Sequence, residues 1–415
     1  MIWFFTGTPI IGFFGSKNTH QRVCPYQPKT LNFTQKQGMK QLIAVITVCL
    51  FTLSGAVAQT AETLYNEGVK LKQEKKSALA LEKFKQAANL KPNYYEALYE
   101  MGWCQNDTKD YTGAMVSLRK ARNGWNTIPK VFFELGYAFE KKEMYDSAIV
   151  SYNRCLQLKS DYSLAHKQLG YIAYTQNRYT AALSHFAGYI STAKTEVSDY
   201  LFWYRKGFSE NAEKKFTESK ESLQKSLLYK KDYTNTYLEL GFACTKLKQD
   251  DDAINWFNEA IKLEPRSHIG YNGIAEVYRD NKKDMDLAMT WYQKSLSIKP
   301  RERKASFGMG YCLNSKQKYA EAIDYLKTAI EQEPTYTAAF VELGYSYFKT
   351  GSETEALNQF SKALTLNPKN ENARYYACLV YVNQKNKTKA QQMVDELKVL
   401  SSKHVTTLQE KVNKM

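Results

Sequence analysis

A small residue recurs along this chain at a nearly fixed interval. Gly68, Gly102, Gly136, Gly170, Gly207, Gly241, Ala275, Gly310, Gly344 and Cys378 are separated by 34, 34, 34, 37, 34, 34, 35, 34 and 34 residues. A unit this short cannot bury an apolar face alone, so ten phased copies limit the chain to an array in which each unit stacks on its neighbours. Twelve residues after each marker (thirteen in unit seven) stands a second small residue: Ala80, Ala114, Ala148, Ala182, Ser219, Ala253, Ala288, Ala322, Ala356 and Ala390. Four further on stands a larger one: Phe84, Leu118, Tyr152, Phe186, Leu223, Phe257, Tyr292, Leu326, Phe360 and Val394. Five units then close on Pro92, Pro265, Pro300, Pro334 and Pro368.

The apolar residues within a unit fall at i, i+3, i+4 and i+7, the signature of helices with one buried stripe. Leu240, Gly241 and Cys244 carry it on a first helix, and Phe257, Ala260 and Ile261 on a second. Proline has no backbone donor, so it ends the second helix and admits the next unit. A mid-helix glycine costs about 1 kcal/mol relative to alanine. Glycines at eight markers therefore predict a close approach of two backbones, with the small residue twelve positions on as the matching contact.

This pattern resembles the tetratricopeptide repeat family. The clearest copies are residues 234–267, with Tyr237, Leu240, Gly241, Ala253, Phe257, Ala260 and Pro265, and residues 337–370. The resemblance implies an all-α, right-handed superhelical solenoid of about ten antiparallel helix pairs over residues 59–400. Repeats would start near positions 61, 95, 129, 163, 200, 234, 268, 303, 337 and 371. Three departures stand out: three extra residues within 190–199, Lys206 where an apolar residue is usual, and one extra residue near 282–284. Residues 401–415 are polar with a thin stripe of Val405, Leu408 and Val412, as expected of a helix that caps the last unit.

Ahead of the array, Met39-Lys40, the uncharged run 42–53 and Ala56-Val57-Ala58 follow the order of a secretory signal peptide. The run is short for a bilayer span, which takes about 20 residues. Residues 39–58 are therefore expected to be the signal, and residues 1–38 an untranslated or non-native extension. The expected location is exported: the periplasm or outer-membrane periphery if the source is bacterial, with possible association with the cell envelope. Retention of the segment as an anchor is the alternative.

The chain carries 58 basic and 42 acidic residues, a formal +16, but only 11 of the basic residues are Arg. Readers of nucleic acid lean on Arg for bidentate contacts, so a Lys-rich surface does not point to nucleic acid. No phosphate-loop, dinucleotide or zinc-protease motif is present, and no catalytic activity, metal or cofactor is expected. The histidines past the signal, His166, His185, His268 and His404, read as belonging to different structural units, too scattered for a shared metal site. Cys104, Cys155, Cys244, Cys312 and Cys378 occupy positions normally held by small buried residues, with no C-x-x-C. They read as small hydrophobes without disulfides.

The residue after the marker is aromatic in seven units: Trp103, Tyr137, Tyr171, Phe208, Phe242, Tyr311 and Tyr345. A second row, Tyr65, Tyr99, Phe133, Tyr204, Phe307 and Tyr375, lies three residues before it. The resemblance implies that these first-helix positions face a concave groove that receives partner segments. The alternative is that they pack adjoining first helices together. The first row is taken as the candidate partner-binding site, for protein or peptide ligands anchored by apolar contact. Net charge favours acidic ones, with Lys72, Lys130, Lys141, Lys167, Lys246, Lys304 and Lys349 along the same face. The leading expectation is a non-catalytic scaffold. The rivals are a carbohydrate or cell-wall binder, since aromatic rows also stack on sugars, and a regulatory subunit of a separate enzyme.

Overall fold

In the computed structural model, residues 59–415 are described. The expected signal and the segment before it lie outside them. The described residues form helices arranged as ten pairs and a closing helix, with no strand among them. Units one to three are α1 (Ala61–Gln73) with α2 (Ser77–Leu90), α3 (Tyr95–Asp107) with α4 (Tyr111–Gly124), and α5 (Pro129–Lys141) with α6 (Tyr145–Leu158). Units four to six are α7 (Ser163–Thr175) with α8 (Tyr179–Thr192), α9 (Tyr200–Ala212) with α10 (Phe216–Tyr229), and α11 (Thr234–Lys246) with α12 (Asp250–Leu263). Unit seven pairs α13 (His268–Glu276), extended by a π-helical turn (Val277–Lys282), with α14 (Met285–Ile298). Units eight to ten are α15 (Arg303–Ser315) with α16 (Tyr319–Gln332), α17 (Thr337–Lys349) with α18 (Glu353–Leu366), and α19 (Glu371–Asn383) with α20 (Lys387–Val399). The closing helix is α21 (Val405–Asn413).

Each first helix packs on its own second helix, and each second helix on the next first helix. Along most of the array, successive first helices also touch each other directly. An array that is closer-spaced along its first helices curves with them inside, which makes their outer row the inner face. The core runs the length of the stack as linked clusters, in which Phe84, Leu118, Tyr152, Phe186, Leu223, Tyr292, Leu326 and Phe360 are fully buried. At the far end α21 buries Leu408 and Val412 against Cys378, Ala390 and Val394, closing the last pair.

The marker glycines serve a different contact from the one expected. A β-carbon at Gly68, Gly136, Gly170, Gly241 or Gly344 would meet the aromatic ring sixteen residues on, and at Gly102, Gly207 or Gly310 the leucine there. The glycine is thus the socket for the large residue of the second helix, and the small residue at twelve is not its main partner. In the last unit Cys378 fills the socket opposite Val394 and lies 3.5 Å from the Ala390 carbonyl.

The three departures from the repeat have local physical reasons. The extra residues between α8 and α9 form an ordered linker: Trp203 Nε1 donates to the Val197 carbonyl at 2.6 Å. Asp199 then caps α9 by accepting from the backbone N–H groups of Leu201 and Phe202. Lys206 is accommodated by Glu210 and by Ser222 Oγ, the latter at 2.9 Å. The extra residue of unit seven is absorbed as the π-turn, after which Lys283 takes a left-handed conformation and Asp284 caps α14.

Candidate functional site

The first-helix aromatics do not form one uniform row. Trp103, Tyr137 and Tyr171, on α3, α5 and α7, line a single cavity of about 410 Å³ together with Phe133 and Lys167. Tyr137 and Tyr171 also line the adjoining hollow with Glu140 and Arg205, so the inner face of units two to five presents a continuous trough. Phe242 is 38% exposed and lines a separate recess between α11 and α13. Phe208 is packed instead against Tyr174 and Tyr179, with ring centroids at 5.5 and 5.7 Å. Tyr311 lies near Phe307 and the Arg279 guanidinium, and Tyr345 lies between Tyr319 and Tyr376. The structure therefore brings three of the seven residues together and leaves the other four in separate surroundings.

The electrostatics of the trough are specific. Lys72 Nζ sits 3.8 Å from the Trp103 ring centroid while paired with Glu100 at 2.5 Å. Lys167 pairs with Asp199 at 2.7 Å, and Tyr171 Oη donates to the same carboxylate at 3.1 Å. Arg205 lies 4.2 Å over the Tyr171 ring. Lys167 and Tyr171 hold Asp199 below the usual carboxylate range despite its burial. Burial pushes Tyr137 up and places Tyr345 at about 12. Of the expected lysines, Lys72 and Lys167 are thus already paired, whereas Lys141 and Lys246 lean over Tyr137 and Phe242.

The second aromatic row packs between units, with Phe133 also lining the cavity. Tyr65, Phe133, Tyr204 and Phe307 each pack against the aromatic residue 29 positions on, at the entrance of the next first helix. The partners are Tyr94, Tyr162, Tyr233 and Tyr336, at 5.1, 5.1, 5.0 and 4.9 Å. These pairs are glue between units.

Sequence reasoning missed a polar ladder. Asn106 Nδ2 donates to the Glu134 carboxylate at 2.8 Å and to its carbonyl at 3.0 Å. Asn211 treats Glu239 in the same way, and Asn314 treats Glu342. Burial raises all three carboxylates, Glu134 to about 7, and the amide only partly offsets it. The readable signal was an Asn four residues after one glycine and a Glu two before the next. It also missed that His166 and His185 belong to one unit, with Nδ1 atoms 3.5 Å apart, which corrects their assignment to different units. Among the described residues no group of three or more His, Cys, Asp or Glu is arranged to hold a metal.

Models of the tetratricopeptide repeat match residues 96–123, 129–162, 234–267, 270–302 and 315–371. With ten helix pairs in register, the chain belongs to the tetratricopeptide repeat family, and its helical stack is that of a protein-interaction scaffold. A TPR repeat-containing protein of Methanocaldococcus jannaschii is 26% identical over 42% of this chain and 32% of its own length. Anaphase-promoting complex subunit 3 of Dictyostelium discoideum is 33% identical over 25% of this chain and 10% of its own length. The human protein O-mannosyl-transferase TMTC3 is 20% identical over 63% of this chain and 29% of its own length. The chain thus spans a third or less of each of these relatives. Among solved structures, the anaphase-promoting-complex hetero-tetramer Cut9–Hcn1 is similar with a TM-score of 0.48 at 12% identity, covering 89% of this chain and 99% of that one. The type IV pilus biogenesis factor PilW gives 0.46 at 17%, covering 50% and 97%.

Proposed function

We propose that this chain is a non-catalytic scaffold that holds a protein segment in the inner trough of units two to five. The single observation that carries this is the convergence of Trp103, Tyr137 and Tyr171 on one cavity. Aromatic rings in a concave, partly desolvated site are the usual anchors of an interface. The trough is long and shallow, which suits an extended peptide or helix better than a compact metabolite. Lys141, Lys246 and Lys349 stand beside aromatic rings on this face, so acidic stretches of the partner find cations there. The scaffold reading is preferred to the carbohydrate reading because Arg205 lies 4.2 Å over the Tyr171 ring and Lys72 3.8 Å over the Trp103 ring, so cations already occupy ring faces on which a sugar would stack.

Export belongs to the same proposal. It rests on the signal-like order of residues 39–58 and places the scaffold at the cell envelope. The test is co-purification: the tagged protein is cross-linked in its source cells, and partners are identified by mass spectrometry beside a Trp103→Ala/Tyr137→Ala/Tyr171→Ala variant. A partner enriched with the parent and lost with the folded variant supports the groove. Equal recovery with both removes it. N-terminal sequencing of the same material should find Gln59 first in the envelope fraction; an unprocessed chain in the cytosol would sink the export reading.

A further inference from the structure

The recess beside Phe242 differs from the rest of the inner face. It measures about 310 Å³ and lies between the first helices of three successive units, α11, α13 and the start of α15, with Phe257 of α12 at its back. Its wall is apolar, made by Phe242, Phe257 and Ile269. Three carboxylates, Glu239, Glu276 and Glu302, line it. None of them makes an ion pair among the described residues, although most of the chain's close charge pairs lie a few residues or one repeat apart. Glu239 accepts from the Asn211 amide, and Glu302, the N-cap of α15, accepts from the Asn272 amide at 2.9 Å and the Ala305 N–H at 2.7 Å. Asn272 is 4% exposed, and its Oδ1 has no hydrogen-bond partner. That oxygen is a buried acceptor without a donor, which is costly and calls for a partner. The cations around the recess are the exposed Lys304, which makes no ion pair among the described residues, Lys246, whose Nζ lies 5.2 Å from the Phe242 ring centroid, Arg279, three residues on from Glu276 and paired with Asp280, and His268, whose imidazole burial holds toward the neutral form.

The geometry points to a specificity pocket for one cationic side chain, Lys or Arg, of the protein segment bound in the groove. The aliphatic stem lies against Phe242 and Ile269, and the ammonium or guanidinium donates to Glu276 and Glu239. This rests on the groove reading for its natural occupant, but the pocket chemistry stands apart from the trough of units two to five. It also runs against the chain's net charge of +16, which by itself favours acidic partners. The single-residue insertion supports it: the π-turn begins directly after Glu276, and such turns often accompany functional sites.

The test needs no natural partner. The protein is labelled with ¹³C at Ile δ1 methyls, and the Ile269 signal is followed on titration with ethylguanidinium, n-butylammonium, n-butanol and butyrate. The two cations should shift Ile269 saturably, and the alcohol and the carboxylate should not. Glu276→Gln should weaken cation binding roughly tenfold, in line with a charge-assisted hydrogen bond. Lys304→Ala, at an exposed position, should strengthen it. Unchanged methyl signals from the other units show that each variant is folded. Absence of a shift, an equal response to n-butanol, or cation binding indifferent to Glu276→Gln would each overturn the pocket. None of these outcomes bears on whether Trp103, Tyr137 and Tyr171 hold a partner.

Discussion

The ring of Phe257 fills the space that a side chain at Gly241 would need: a β-carbon there would lie 2.6 Å from Cε1. A β-carbon at Gly273 of the next unit would lie 2.4 Å from the same atom, so the ring is held between two glycines. Gly241→Leu should therefore destabilise the protein. Overpacking costs about 1–3 kcal/mol, and the gain in helix propensity returns only about 1 kcal/mol. Gly241→Ala combined with Phe257→Val imitates the last unit, where Cys378 carries a β-carbon in the socket opposite Val394, and should recover part of the loss. Thermal melts of the three proteins check this, and a Gly241→Leu melt matching the parent would remove the socket from the account.

Gly351 offers a contrast. It has φ +82° at the turn between α17 and α18, with nothing within 4 Å of a built β-carbon. Its counterparts in the other nine units are not glycine, Lys248 and Gln317 among them, and carry the same left-handed backbone. Gly351→Ala should then cost about 1 kcal/mol through backbone conformation alone. Chemical denaturation measures it, and a cost well above that would mean an unseen steric contact.

The thiols give a pH dependence. Burial pushes Cys104, Cys155 and Cys312 up to about 12 and Cys378 to about 11, from an ordinary 9.0, and Cys244 in the same direction. Raised folded values mean that the unfolded chain loses its protons first. The stabilisation is complete below pH 9.0 and is lost as pH climbs toward the folded values. Stability should therefore fall across pH 9–12, and Cys155→Ala should lessen the slope. In native protein at pH 8 all five should resist a thiol reagent and react fully once unfolded. Fast reaction of any of them in the folded state would contradict their burial.

Glu134 gives a test of the same sign near neutrality. Its folded value, raised to about 7, means that the protonated form is preferred on folding. Its contribution is present below the ordinary 4.5 and is lost as pH rises through 7. Glu134→Gln keeps an acceptor for Asn106 and removes the charge, so it should be more stable than the parent at pH 8, by on the order of 1–3 kcal/mol, with the gap closing toward pH 5. Denaturation at the two pH values reads the difference directly, and a variant weaker than the parent at pH 8 would show that the carboxylate is better solvated than its surroundings indicate.

The fold was legible because one physical demand repeats. Every second helix drives a large residue into the first, and only glycine, alanine or cysteine leaves room, so the period shows through sequence drift. What the glycine faces was not legible, because Ala253 and Phe257 lie one helical turn apart and both fit a small neighbour; only coordinates separate them. The seven aromatics after the marker looked equivalent by register. Local neighbours divide them: Asp199 from the end of the linker and Arg205 from α9 reach Tyr171, Tyr174 and Tyr179 cover Phe208, and Phe242 stays exposed. The Asn106–Glu134 ladder spans two units through residue types that occur widely on surfaces, and stands out only once burial is known.

The claim that units two to five hold a protein partner is tested most directly by measuring affinity and stability together on Trp103→Ala/Tyr137→Ala/Tyr171→Ala, using the partner recovered by co-purification. Truncating a true anchor costs about 2 kcal/mol or more, roughly thirtyfold in affinity per anchor. The account predicts a folded variant whose affinity for that partner falls at least thirtyfold, with only modest dependence on salt because apolar contact dominates. A variant that melts lower but binds with the parent's affinity would contradict it, and would assign these rings to the stacking of the solenoid alone.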